Sequence, residues 1–335
     1  MEYQVLSRRN LWLSRLSFLH ELVLVPVIAL LVVAGSLMNP NFLTTSNLVN
    51  NILVSSAVLG LLAIAESLLV ISGVIDLSLE STVAIAPAIG AWIVLPAGKG
   101  GLGWEMAPII GVLVTLMVGV IVGVTNGFLA AVLRLNAFIV TLAMLIVLRG
   151  IVLGISGGQT LAPLPEAFTW FGTAEVAGVS VQIWFFLVLG LMVGLFMKWV
   201  PTGSHIYALG GNEEAARASG VNVTRLRIGI FVAASLIAAL AGLLLTGRIA
   251  SVTASQGDGM IFMVFAATVI GGVKLEGGQG TIIGTMTGVV LLSLIQNLLV
   301  LANVPSFWIK ATYGVIILVA LVIGETQSKH SARVR

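Results

Sequence analysis

The sequence predicts an all-α integral membrane protein: about ten transmembrane helices, short loops, and one further small helix in a polar loop. Three observations carry this reading. Of 335 residues, 59% are hydrophobic and 9% charged, whereas a soluble domain has about 25% charged residues, so the apolar surface exceeds what polar residues could cover. The apolar residues gather in runs of about twenty, the length that crosses a hydrocarbon core of about 30 Å. The basic residues are unevenly shared between alternate loops, as expected when orientation follows charge.

Residues 1–20 are polar and basic, with Arg8, Arg9 and Arg15. The first apolar run, 22–38, exceeds a signal-peptide core and is followed by no Ala-x-Ala site, so it is expected to stay as a helix. Further runs cover 51–71, 79–96, 107–133, 136–156, 182–200, 226–248, 260–273, 281–302 and 308–324. The third contains Pro87 and the eighth is short; if this pair fails, eight spans remain. Interrupted helices free backbone groups that can face a cavity. With the N-terminus inside, the inner side receives Arg8, Arg9, Arg15, Arg134, Lys198, Arg217, Arg225, Arg227, Lys274, Lys329, Arg333 and Arg335. The outer side receives only Lys99, Arg149, Arg248 and Lys310. Both termini and the loop 201–224 are therefore expected in the cytoplasm. The chain reads as one domain, with 1–20, 201–224 and 325–335 as its cytoplasmic segments.

The loop 201–224 is the longest polar interruption and holds a complete helix signal. Asn212 is a good N-cap. Glu213 and Glu214 place negative charge at the positive helix end. Ala215, Ala216 and Ala218 favour helix, and Gly220 supplies a left-handed stop. A helix of about two turns is marginal alone in water, which suggests an element that rests on a partner.

Gly210-Gly211-Asn212-Glu213-Glu214-Ala215-Ala216-Arg217-Ala218-Ser219-Gly220-Val221-Asn222 resembles the cytoplasmic coupling loop of ribose-type sugar permeases of bacterial ABC importers. Ser72-Gly73-Val74-Ile75-Asp76-Leu77-Ser78 is similar to that family's Gly-Gly-Ile-Asp-Leu-Ser, departing at Ser72 and Val74. Asn126-Gly127, Phe138-Ile139-Val140-Thr141-Leu142 and Arg149-Gly150 also match, so the resemblance covers about 40–325. It implies a non-catalytic subunit of the inner membrane that imports a monosaccharide or a similar polyhydroxylated solute. It also implies a cytoplasmic ABC ATPase that holds ATP and magnesium, a second permease subunit, and a periplasmic or lipid-anchored solute-binding protein. Gly210, Asn212, Glu213, Glu214, Ala215, Ala216, Arg217 and Gly220 would then couple the chain to the ATPase, with Ala215, Ala216 and Ser219 small enough to enter a groove on it. The chain itself would hold no cofactor.

Candidate pathway residues are Glu66, Asp76, Ser78, Asn126, Thr141, Gln296 and Asn297, polar groups within or near the spans. Ionisable groups there are costly and face a cavity or a partner. Asp76 also suits capping of the following helix, Glu66 could pair with Arg149, and the neutral groups could equally bond between helices. Glycines at 119, 123 and 127, and at 280, 284 and 288, form stripes that let a second helix approach. Ile71-Ser72-Gly73-Val74 is echoed by Ile270-Gly271-Gly272-Val273. In the loop 157–180, Glu166, Phe168, Trp170, Phe171 and Glu175 suit an interface anchor or a docking site for an external protein.

The run 271–280 is glycine-rich but lacks the spacing that cradles phosphate, so it reads as a turn. There is no cysteine, and His20, His205 and His330 lie far apart, which leaves no metal site to propose. Net charge +3 gives no reason to expect nucleic acid. Two alternatives stay open: a secondary carrier using Glu66 or Asp76 as its coupling acid, and an ABC permease for branched-chain amino acids.

Overall fold

The computed structural model describes residues 24–309, 311–316 and 318. The basic N-terminal segment and the tail 325–335 lie outside the described residues. The chain is almost wholly helical: α1 (Leu24–Met38), α2 (Ser46–Ile71), α3 (Leu79–Val94), α4 (Pro108–Val132), α5 (Ala137–Ser156), α6 (Glu166–Thr173), α7 (Val181–Trp199), α8 (Pro201–Gly211), α9 (Glu213–Ala218), α10 (Val223–Ile249), α11 (Met260–Ile270) and α12 (Ile282–Leu301). A two-residue hairpin pairs β1 (Glu175–Val176) with β2 (Val179–Ser180).

Among the described residues, six helices are long and apolar enough to cross a membrane: α2, α4, α5, α7, α10 and α12. Helices α1, α3 and α11 occupy three more of the expected runs; α3 and α11 have only 16 and 11 residues, and α1 has 15 among the described residues. The run 308–324 is described in part, and its described residues are helical.

Helices α2 and α10 form the core. Nearly every residue of α2 from Val54 to Ile71 is buried, small and polar ones included. α10 packs along α4 through the first glycine stripe: Gly119 faces Ser235 and Ala239, Gly123 faces Phe231 and Val232, and Gly127 faces Ile228. A Cβ on Gly123 would lie 2.5 Å from the Val232 Cα, inside any real contact distance. Gly284 and Gly288 likewise admit Gly271 and Ala267. Both stripes thus serve packing within the chain.

Helices α3 and α11 are short for a common cause. After α2 ends, Gly73 adopts a left-handed conformation and the chain folds back along the helix it has just left. The Asp76 N–H donates to Glu66 Oε1 at 3.3 Å, and Glu66 lies five residues before the α2 terminus, about 8 Å back along its axis. α3 therefore begins inside the bundle. α11 does the same: the Gly259 and Ile261 N–H groups donate to Glu80 Oε2 at 3.0 and 3.2 Å. The amino ends of α3 and α11 thus meet at one carboxylate, which suits the positive end of a helix.

The sequence echo is a real local repeat. Gly73 N–H bonds Val70 O and Val74 N–H bonds Leu69 O; Gly272 N–H bonds Val269 O and Val273 N–H bonds Thr268 O. Both are left-handed helix stops, with φ of 85° and 86° at Gly73 and Gly272. They lie at one end of the bundle, where the Gly278 N–H donates to Ile71 O at 2.8 Å.

Candidate functional site

Two constellations hold the residues nominated from sequence. The first is the polar end. α8 was expected as loop and is a helix, started by Pro201 at a position where the missing N–H costs nothing. It delivers Gly210 between the first stop and the loop that follows the second: a Cβ there would fall 2.6 Å from the Gly278 nitrogen and still closer to Ile71 O. Tyr207 OH donates to Gly280 O at 2.9 Å, locking the same junction. Gly210, expected to couple to a partner, is consumed by packing inside the chain.

α9 follows at once. Asn212 Oδ1 accepts the Ala215 N–H at 2.9 Å, the expected cap, and Gly220 stops the chain at φ 88°. Glu213 accepts from Arg217 at 2.9 Å and from Arg227 on α10 at 2.8 Å. These bonds to Arg227 and Arg217 hold the Glu213 carboxyl below its ordinary range. Glu213 therefore ties α9 to the following span.

Ala216 is 3% exposed and faces the bundle, so it seats the helix instead of lying on its outward surface. The outward surface of α9 consists of Glu214, Ala215, Arg217, Ala218 and Ser219. A six-residue helix offers too short a pattern for the buried face to be read from sequence.

The second constellation gathers five of the seven pathway candidates. Asp76 Oδ1 accepts the Ser78 N–H at 2.8 Å and the Ser78 hydroxyl at 2.6 Å. Asn126 Nδ2 donates to Asp76 Oδ2 at 3.2 Å and to Ser78 Oγ at 2.8 Å. Thr141 Oγ1 accepts the Leu77 N–H at 3.2 Å. Glu66, Asp76, Ser78, Asn126 and Thr141 are all 0% exposed. The group holds the 72–78 turn against α2, α4 and α5 and sets where α3 begins.

Asn297 lies elsewhere. It exchanges hydrogen bonds with Asn47 at 2.8 and 3.0 Å, closing α12 onto the start of α2. Gln296 is half-buried beside it. Asn47, 250 residues away in sequence, carried no signal that would have nominated it.

The pairing of Glu66 with Arg149 does not form. Arg149 on α5 instead bridges Glu80 at 3.6 Å and Asp258, and donates to the carbonyls of Ala254 and Gln256. The fold-back of 72–78 places Glu80, not Glu66, in its reach. In the loop 157–180, Phe168 is fully buried and Trp170 is exposed, so the aromatics there divide between core and surface.

Among the described residues no group of three or more acidic or histidine side chains is placed to hold a metal.

Comparison with known proteins agrees with this architecture. Residues 48–323 match the family model described as the permease component of the branched-chain amino acid transport system. The ribose import permease protein of Escherichia coli (strain K12) is 32% identical over 96% of this chain and 98% of its own. The ribose import permease protein of Bacillus subtilis (strain 168) is 32% identical over 89% and 91%. The L-arabinose ABC transporter permease protein of Azospirillum brasilense is 32% identical over 90% and 86%. No solved structure matches the chain significantly. With its apolar helices, its capped polar helix and matches over nearly its whole length, this chain belongs to the family of multi-pass permease subunits of ABC transporters.

Proposed function

We propose that the chain is the permease subunit of an importer that brings a monosaccharide or similar polyhydroxylated solute into the cytoplasm. The observation that carries this reading is the near full-length likeness to permeases named for ribose and L-arabinose. The family's description names branched-chain amino acids, which makes an amino-acid solute the second reading.

The chain crosses the inner membrane about ten times, with α1, α3 and α11 counted among the crossings and both termini in the cytoplasm. Charge supports this orientation: Arg217, Arg225, Arg227 and Lys274 all lie at the α9 end of the bundle. A separate ATPase, carrying ATP and magnesium, docks on α9. A second permease subunit and a solute-binding protein at the opposite face complete the complex. ATP-driven closure of the ATPases moves α9, and α9 moves α10 through Glu213 and Arg227.

Gly210 and Ala216 serve this coupling from within by seating α8 and α9. The buried group of Glu66, Asp76, Ser78, Asn126 and Thr141 serves the passage by fixing the position of α3, and Asn297, with Gln296 beside it, steadies α12.

The test is uptake by the complex rebuilt in vesicles with its ATPase and solute-binding protein. ATP-dependent uptake of ribose or L-arabinose, with no leucine uptake, is expected. Leucine uptake would favour the second reading. Uptake that survives removal of ATP and stops with an uncoupler would make the chain a secondary carrier.

A further inference from the structure

Arg149 is the thirteenth residue of the twenty in α5, so it lies about 18 Å from one end of that span and about 10 Å from the other. At this depth it meets Glu80 and Asp258. Their environments differ sharply. The Glu80 side chain is 9% exposed and Arg149 16%, but Asp258 is 57% exposed. An ionised carboxylate on the outside of a bundle, level with the middle of a span, is not stable against lipid tails. Water or protein must cover it.

The segment bearing Asp258 is firmly built. Gln256 Nε2 donates to Val83 O at 2.9 Å, Thr246 Oγ1 at 2.9 Å and Gly242 O at 3.3 Å. Arg149 holds the Ala254 and Gln256 carbonyls. The amino ends of α3 and α11 are fixed on Glu80. Asp258 is therefore presented from a rigid strap at the junction of two helices that start inside the bundle. The Asp76 group differs: it is wholly buried and its members bond one another.

We propose that the flank carrying Arg149 and Asp258 lines a water-filled passage, and that this pair is a transient contact for the hydroxyl groups of a neutral polyhydroxylated solute. A carboxylate accepts from hydroxyls and a guanidinium donates to them. Arg149 with Glu80 and Asp258 leaves one net negative charge, which repels an anionic solute and admits a neutral one. Half of the carboxylate's surroundings are open, so the contact is weak enough for release. The identity of the solute rests on the importer reading; the aqueous passage does not.

The absence of cysteine makes the test direct. Asp258→Cys and, at the same strap, Ser255→Cys are compared in the assembled transporter with Val147→Cys. Val147 is also exposed, but two residues from Arg149 it points to the opposite side of α5. A membrane-impermeant, hydrophilic thiosulfonate reagent is expected to modify Asp258→Cys at least about tenfold faster than Val147→Cys, because the reactive thiolate forms where water reaches it. Sugar-loaded binding protein with ATP, using ribose or L-arabinose, is expected to slow the reaction relative to sugar-free binding protein with ATP. If Asp258→Cys and Ser255→Cys both react no faster than Val147→Cys, lipid or a second copy seals the flank and the passage is wrong. If the reaction is fast but unchanged by a sugar that the native complex imports, the solute contact is wrong. Fast reaction in a complex that imports neither sugar upholds the passage and contradicts ribose and L-arabinose as its solutes.

Discussion

Arg227, in the first turns of α10, donates to Glu213 at 2.8 Å, so the small polar helix is tied to the span that follows it. The Glu213 side chain is 40% exposed, and a partly exposed pair of this kind contributes about 0.2–1 kcal/mol. Its carboxyl titrates below its ordinary range. The tie is therefore complete above the ordinary carboxylate pKa of about 4.3 and lost only as pH falls through the lowered value. Between pH 6 and 8 the coupling of uptake to ATP hydrolysis should not vary through this pair. Glu213→Gln should loosen it throughout that range, lowering ATPase recovery on purification by up to about fivefold. Recovery unchanged in Glu213→Gln would remove the tie from the coupling route.

The two alanines of α9 should part company. Ala215 is outward, so Ala215→Glu should leave membrane abundance normal while ATPase recovery and uptake fall. Ala216 is buried, and a carboxylate there must be expelled or neutralised at a cost of several kcal/mol. Ala216→Glu should detach α9 from the bundle, read as faster proteolysis near residue 212 in the permease alone. Equal behaviour of the two variants would contradict the orientation of α9.

Gly210 and Gly211 give a paired test of the polar end. A Cβ on Gly210 would strike Ile71 O and the Gly278 nitrogen, whereas one on Gly211 meets nothing within 4 Å. Gly210→Ala should cost about 1–3 kcal/mol by overpacking and lower the Tm of the purified chain. Gly211→Ala should leave it nearly unchanged. A Tm unaffected by Gly210→Ala would mean that the end of α8 does not press on Ile71 and Gly278.

In the buried group, Asp76 accepts on both oxygens, one from Ser78 and one from Asn126. Asp76→Asn turns a donor toward the Asn126 amide and should cost about 1–3 kcal/mol, the penalty of an unsatisfied buried pair. Adding Asn126→Asp exchanges donor and acceptor and should recover part of the lost Tm and uptake. No recovery in the double variant would show that Asp76 acts through its charge, as a proton-coupled carrier would need.

Much of this was legible because an apolar run of twenty residues leaves one solution in a membrane. The α9 cap was equally plain, since Asn212, Glu213, Glu214 and Gly220 each state a local rule. α8 was hidden by its own glycines: Gly203 and Gly210 read as loop, yet each is small because another backbone presses on it, at Met197 and at Ile71. The Asn47–Asn297 pair was invisible for want of any local signature. The choice of Glu80 over Glu66 by Arg149 depended on the fold-back of 72–78, which no periodicity announces.

The outward face of α9 is the expected seat of the ATPase. In this cysteine-free chain, Ala215→Cys and Ala218→Cys each place one thiol on that face. The most direct measurement is cross-linking from these positions in the assembled complex with a short maleimide reagent, with Trp170→Cys near the β1–β2 hairpin as the opposite-end control. ATPase is expected to cross-link from both α9 positions, at yields that change with ATP, and not from Trp170→Cys. ATPase captured from Trp170→Cys but from neither α9 position would contradict this seat.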